Sequence, residues 1–274
     1  MSRKDDALTG LPGTLLFTLR ARAEENGRAG AILSDPLAAS WYAQFPHPDD
    51  STQTMAALYS PVFQLGTAVR ASLIDGIARR FLETHDTAVV VELGAGFSTR
   101  FARLPQPHAV WFELDLPEAI AARRLVDEET ERHRFLPLSM LDEGWVGEIT
   151  AVSPKNILFI AEGVLFFLHP AEIARLFALL GAHFPGATLA LDMLTSSFSP
   201  KARAAFARHN IPMQWLPDSE ADLAAYGLTV RDAWVVTRQH LARWQALGFK
   251  KESLLAARGN VVVECLANQG EYCK

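Results

Sequence analysis

Residues 89–101, VVVELGAGFSTRF, set an acid, Glu92, near the end of a β-branched run and follow it with Gly94-Ala95-Gly96. A glycine turn between a strand and a helix leaves backbone N–H groups open to a ligand with little side chain in the way, as any nucleoside site requires. The dinucleotide fingerprint G-x-G-x-x-G asks for a third glycine where this chain has Thr99, and no Gly-Lys-Ser/Thr follows to make a phosphate loop. About twenty residues on, a second strand ends in Glu113-Leu114-Asp115, where a carboxylate can accept hydrogen bonds from a ribose diol. An open turn, an acid after the next strand and no third glycine favour S-adenosylmethionine over a nicotinamide dinucleotide. On these residues alone, a tight turn flanked by surface acids is the other reading.

A second acid needs a partner. Asn156-Ile-Leu-Phe-Ile-Ala-Glu162 ends an apolar strand on a carboxylate, an expensive position unless something positive or hydrogen-bonding meets it. A ligand ammonium or sulfonium would serve, and so would a structural arginine.

The elements that must position these residues are visible as periodicities. From Thr9 to about Leu82 the apolar spacing is helical, through TLLFTLRARAEE, DPLAASWYAQF and FQLGTAVRASLIDGIARRFL, with Asp35-Pro36 opening the second helix as cap and first-turn proline. TAVVVEL, HAVWFEL, RFLPL, NILFIAE and ATLALDM are short β-rich runs separated by helical segments such as PEAIAARRLVDEE and PAEIARLFALLGAHF. DAWVV and GNVVVECLA add two strands around TRQHLARWQALG, for about seven in all. This alternation predicts an α/β fold, a mostly parallel doubly wound sheet with its ligands at the carboxyl ends of the strands. Residues 1–82 are expected to pack as a helical cap, and 83–274 to form the Rossmann-like core with an insertion at about 196–227.

Composition narrows the partners. With 26 Lys and Arg against 31 Asp and Glu, the net charge of −5 argues against a phosphate-tracking surface and hence against a nucleic-acid partner. Cys265 and Cys273 are the two cysteines and neither has a neighbour at metal-ligand spacing, which fits a reducing cytoplasm and no metal. MSRKDDALTG has no apolar core of a signal peptide, and the greasy stretch Leu176 to Leu194 is broken by His183, Pro185, Gly186 and Asp192, so no membrane span is expected. Oligomeric state is not legible in the pattern.

Several motifs, in order, resemble the leucine carboxyl methyltransferases and their bacterial tetracenomycin polyketide methyltransferase-like relatives. They are TLLFTLRARAEE with SDPLA, then Arg70 with Leu73-Ile74-Asp75, VELGAGFSTRFARL, FELDLPE, SMLDEGW and AEGVLFFL, from about residue 14 to 194. The resemblance implies a class I methyltransferase fold, S-adenosylmethionine as methyl donor and a carboxylate or other oxygen acceptor. It implies that Arg70 reaches the cofactor's carboxylate, that Gly94, with Glu92, Ala95 and Gly96 around it, approaches the methionine portion, and that Glu162 lies by the amino group. Glu113 and Asp115 would lie by the ribose, Asp115 the better match. Arg20 or Arg22 would stand for a basic residue near the active site. Where members that methylate protein phosphatases have Asp-Leu beside the adenine, this chain has Ser139-Met140; serine still bonds an adenine edge, but the departure points to a small-molecule acceptor.

An acceptor carboxylate is already ionised at pH 7 and needs no general base, so alignment and desolvation suffice. A hydroxyl acceptor would need one, for which His169, His209 and His240 are available. No residue is assigned as catalytic. Phe97, Phe166, Phe167, Phe198 and Trp215 are expected to line the acceptor pocket. The competing readings are a non-catalytic cofactor-binding protein of the same fold and a nicotinamide-dependent oxidoreductase.

Overall fold

Seven strands form one sheet: β1 (Ala88–Leu93), β2 (Ala109–Asp115), β3 (His133–Pro137), β4 (Ile157–Ala161), β5 (Thr188–Leu194), β6 (Leu228–Val235) and β7 (Asn260–Ala267). Their order is β3-β2-β1-β4-β5-β7-β6. All pairings are parallel except those of β7, which runs antiparallel to both β5 and β6. The computed structural model describes residues 14–45, 58–104, 108–152 and 155–268; Cys273 lies outside them. The expected seven strands are all present. Strand β6 starts ahead of DAWVV, because at the sheet edge its first residues alternate between buried and exposed instead of forming an apolar run.

The helices are α1 (Thr14–Asn26), α2 (Pro36–Tyr42), α3 (Pro61–Thr84), α4 (Arg100–Arg103), α5 (Pro117–Arg123), α6 (Gly144–Thr150), α7 (Pro170–His183), α8 (Pro200–Arg208), α9 (Leu241–Ala246) and α10 (Lys251–Ala256). A recurring local device starts them. Asp35, Ser60, His169 and Ser199 each cap a helix whose first residue is proline, which sacrifices only an N–H that has no intrahelical partner anyway. The expected insertion contains α8 and a 3-10 turn, Glu220–Tyr226.

Each sheet face buries its own apolar set. Val89, Val91, Phe112 and Phe159 face α6 and α7 through Trp145, Ile149, Ile173 and Leu176. Val90, Trp111, Leu158, Ile160 and Val262 face α3 through Leu65, Ile74, Ile77 and Phe81. Helix α3 thus covers this face of the sheet, and each such buried side chain gains roughly 1.5–3 kcal/mol. The acids follow the same alternation. Val90 and Glu92, Trp111 and Glu113, Ile160 and Glu162, Ala190 and Asp192 share parity, so these carboxylates are stacked on the α3 side towards the carboxyl edge. Among the described residues no helix is long and apolar enough to cross a membrane, and no cluster of His, Cys, Asp or Glu is suited to a metal.

Candidate active site

At the carboxyl edge the sheet order reverses between β1 and β4, the place where open α/β sheets leave a crevice. A cavity of about 1270 Å³ opens there, larger than the roughly 300–1,000 Å³ of a site for one drug-sized ligand. Arg22, Arg70, Glu92, Gly94, Ala95, Gly96, Asp115, Glu162, Phe166 and Phe198 all line it, as do Phe97 and Phe167.

The turn after β1 demands its glycines. Gly94 and Gly96 have φ of +70° and +50°, a region glycine enters without strain. A Cβ on Gly94 would lie 2.8 Å from Val164 Cγ2, and one on Gly96 would lie 2.7 Å from Leu15 Cδ2. The Gly96 N–H donates to Asp115 Oδ2 at 2.7 Å and the Leu116 N–H to Oδ1 at 2.8 Å. Asp115 is thus held at the end of β2 facing the cavity. Burial raises its pKa above the usual aspartate range against the pull of those two N–H groups.

Across the crevice an arginine and a glutamate stand in contact. Arg70, from the middle of α3, donates to Glu162 Oε1 at 3.0 Å and reaches Asp192 Oδ2 at 3.5 Å. Arg100 donates to the other oxygen of Glu162, to Glu92 at 2.5 Å and to Asp75 at 2.7 Å. Burial alone would raise the Glu162 pKa, but Arg100, Arg70 and Arg22 together outweigh it and hold the carboxyl below its usual range. Asp192 also accepts the Gly163 N–H at 2.6 Å, which fixes the turn that carries Glu162.

These residues fit S-adenosylmethionine. The adjacent Arg70 and Glu162 match the carboxylate and ammonium of an amino-acid end, the glycine turn leaves room for the chain's approach, and Asp115 presents a fixed acceptor to a ribose diol.

Other expected residues stand elsewhere. Glu113, one side-chain repeat deeper in β2 than Asp115, is fully buried against Arg123 at 2.8 Å and His133 at 3.0 Å; it sits inside the sheet layer and does not line the cavity. Ser139 and Met140 are half-buried, with Met140 Cε 3.2 Å from where a Gly94 Cβ would be, but neither is part of the cavity wall. Arg20 turns outward to Glu24 and stacks over Tyr59, whereas Arg22 is buried and lines the cavity. Trp215 is core, donating to the Tyr226 hydroxyl at 3.1 Å and packing on Phe177. His169 caps α7, His209 ends α8 and His240 precedes α9; none of the three lines the cavity. Sequence reasoning gave no site role to Asp75, Arg100, Arg103, Arg123 or Asp192. The excess of acids at buried strand ends was the available signal, because each required a cation nearby.

The leucine carboxyl methyltransferase family model matches residues 16–181, more than half of the chain. The chain belongs to this family. It is 29% identical over 186 residues to the tetracenomycin polyketide synthesis O-methyltransferase TcmP of Streptomyces glaucescens, a match covering 68% of this chain and 66% of that protein. It is 27% identical over 186 residues to the S-adenosyl-L-methionine-dependent methyltransferase dpfgK of Gibberella zeae, covering 65% of this chain and 62% of that one. The matched region thus spans just under two thirds of either relative's length. A putative methyltransferase from Thermobifida fusca YX superposes with a TM-score of 0.52 at 14% identity, over 90% of this chain and 94% of that one, and so shares the fold. The leucine carboxyl methyltransferase family chain has the seven-stranded, mostly parallel class I methyltransferase architecture that its motifs implied.

Proposed function

We propose that this chain is an S-adenosylmethionine-dependent O-methyltransferase acting on the carboxylate or hydroxyl of a small, polyketide-like metabolite. The carrying observation is that Gly94–Gly96, Asp115 and the Arg70–Glu162 pair face one cavity that has room for a second ligand against Phe166, Phe167, Phe198 and Phe206. The family assignment and the names of both relatives support methyl transfer, and the name of TcmP alone supports an oxygen acceptor.

When bound, the cofactor would supply the methyl group of its sulfonium, the acceptor oxygen gaining an O–CH3 bond as the S–CH3 bond breaks and S-adenosylhomocysteine leaves. Arg70 and Glu162 orient the amino-acid end, and Asp115 orients the ribose. The apolar wall excludes water from the acceptor, which strengthens the remaining electrostatic contacts. His169, His209 and His240, the histidines considered as bases for a hydroxyl acceptor, do not line the cavity, and a carboxylate acceptor needs no deprotonation.

Calorimetry with S-adenosylhomocysteine tests the reading. Micromolar binding is expected, and Arg70→Met and Glu162→Gln are each expected to weaken it tenfold or more by removing charged hydrogen bonds. No binding to the folded wild type at millimolar ligand counts against it.

A further inference from the structure

Three successive carbonyls of the glycine turn are drawn to two buried arginines. Arg123 donates from Nη1 to the Gly96 carbonyl at 3.0 Å and from Nη2 to the Ser98 carbonyl at 2.7 Å. Between them, Arg22 donates from Nη2 to the Phe97 carbonyl at 2.5 Å. The two side chains come from different layers, Arg22 from α1 and Arg123 from the last position of α5. Each is backed by a buried acid: Asp35 holds Arg22 Nε at 3.0 Å and Glu113 holds Arg123 Nη2 at 2.8 Å. Arg123 is further confined between the Trp41 and Phe135 rings, at 5.4 and 5.1 Å.

A trans peptide is planar, with its N–H directed opposite its carbonyl. Fixing the carbonyls of residues 96, 97 and 98 therefore fixes the direction of the N–H groups of Phe97, Ser98 and Thr99. A turn containing left-handed glycines has many alternative states to lose, and hydrogen bonds from a charged donor are the stronger kind. Planar guanidinium forks suit the task, since one group spans an acid and a carbonyl at once.

We propose that Arg22 and Arg123 are positioning residues, a pair of clamps that set the peptide planes of Gly96, Phe97 and Ser98 and so pre-form the floor of the cofactor site. Glu113 and Asp35 act through them. The functional meaning rests on the S-adenosylmethionine reading above; the clamp itself does not.

Two variants test it. Arg22→Met leaves Asp35 with Arg103 and Thr99 as partners. Arg123→Met combined with Glu113→Gln removes both charges of the other pair, because removing one alone would strand a buried ion. Each variant is assayed by thermal unfolding, by amide hydrogen exchange of the peptide spanning 94–99, and by calorimetry with S-adenosylhomocysteine. With a single cooperative unfolding transition retained, exchange in 94–99 is expected to quicken tenfold or more while β5 is unchanged, and affinity to fall at least tenfold. Unchanged exchange in 94–99 in either folded variant overturns the clamp. Should one variant fail to fold, the other decides the matter. Should the wild type not bind S-adenosylhomocysteine, the methyltransferase reading falls while the exchange measurement still decides the clamp.

Discussion

On the glycine-turn side of the cavity the wall is built from ions: Arg70, Arg100, Glu92 and Glu162 in direct contact, with Asp75 and Asp192 behind them. On the insertion side it is built from Phe166, Phe167, Phe198, Phe206, Ile211 and Met213, held by a few backbone contacts such as Gln214 N–H to the Phe166 carbonyl at 2.8 Å. Ion pairs away from water are strongly geometry-dependent, whereas apolar contacts are non-directional. The first wall can be complementary to one ligand alone; the second can be reshaped by substitution without loss of the fold. On the proposed function, the ionic wall would hold the methyl donor and the apolar wall the acceptor.

The contrast breaks if the ionic side proves tolerant. Arg100 serves three carboxylates at once and is 2% exposed, so Arg100→Met leaves them without their shared cation. It is expected to cost about 3–5 kcal/mol in urea unfolding, and a loss below 1 kcal/mol would show that the acids are neutralised by other means. Glu113 gives the next largest effect. Among the described residues its Oε2 is buried without a hydrogen-bond partner, and burial, opposed by Arg123, pushes its carboxyl from 4.5 up to about 7, while burial pulls His133 from 6.5 down to about 4. A carboxyl raised on folding contributes fully below about pH 4.5 and loses its contribution as pH climbs to 7; the depressed histidine contributes above 6.5 and loses it as pH falls to 4. The two offset each other between those limits. Glu113→Gln removes only the first, so relative to wild type it should gain on the order of 2–3 kcal/mol as pH rises through that window. Parallel stability profiles across the window would show that Glu113 ionises normally. Gly94→Ala follows, with a strained backbone and a Cβ 2.8 Å from Val164. It should lower stability by about 1–3 kcal/mol, and weaken S-adenosylhomocysteine binding measurably by calorimetry.

The sequence made one side far more legible than the other. The glycines, Asp115 and Glu162 stood out because strand periodicity fixes which acid ends which strand, whereas Arg70, in the middle of a helix, was marked only by the family resemblance. Periodicity alone could not tell Glu113 from Asp115, because both have the same parity in β2 and only depth separates them; the family resemblance was what favoured Asp115. In the register Glu113 lies opposite Phe135, well inside the sheet, while Asp115 lies opposite Pro137 at its end. Arg100 and Arg123 were hidden for a related reason: their partners are far apart in sequence, and nothing local shows that a guanidinium turns inward. On the insertion side Trp215 and Phe198 looked equivalent as aromatics in an irregular stretch. Tertiary packing sent Trp215 into the core with Phe177 and left Phe198 half-buried on the cavity wall.

Phe198 gives the smallest expected effect and the sharpest test of the division between the two walls. It follows β5 at the start of the insertion, and its backbone lies 3.2 Å from where a Gly259 Cβ would be, so the ring's place is set by close backbone approach while the ring itself is only partly covered. Phe198→Ala removes apolar wall without touching an ion pair. Stability should change by less than about 1.5 kcal/mol, since a half-buried ring forfeits only part of its burial energy. S-adenosylhomocysteine affinity should stay within twofold, and KM for an aromatic carboxylic acid acceptor found by screening should rise severalfold with kcat little altered. That split is the signature of lost binding shared by ground and transition states. If instead cofactor affinity fell as far as acceptor affinity, the ionic and apolar walls would be one coupled unit, and the freedom of the insertion side to vary would have to come from residues farther from β5.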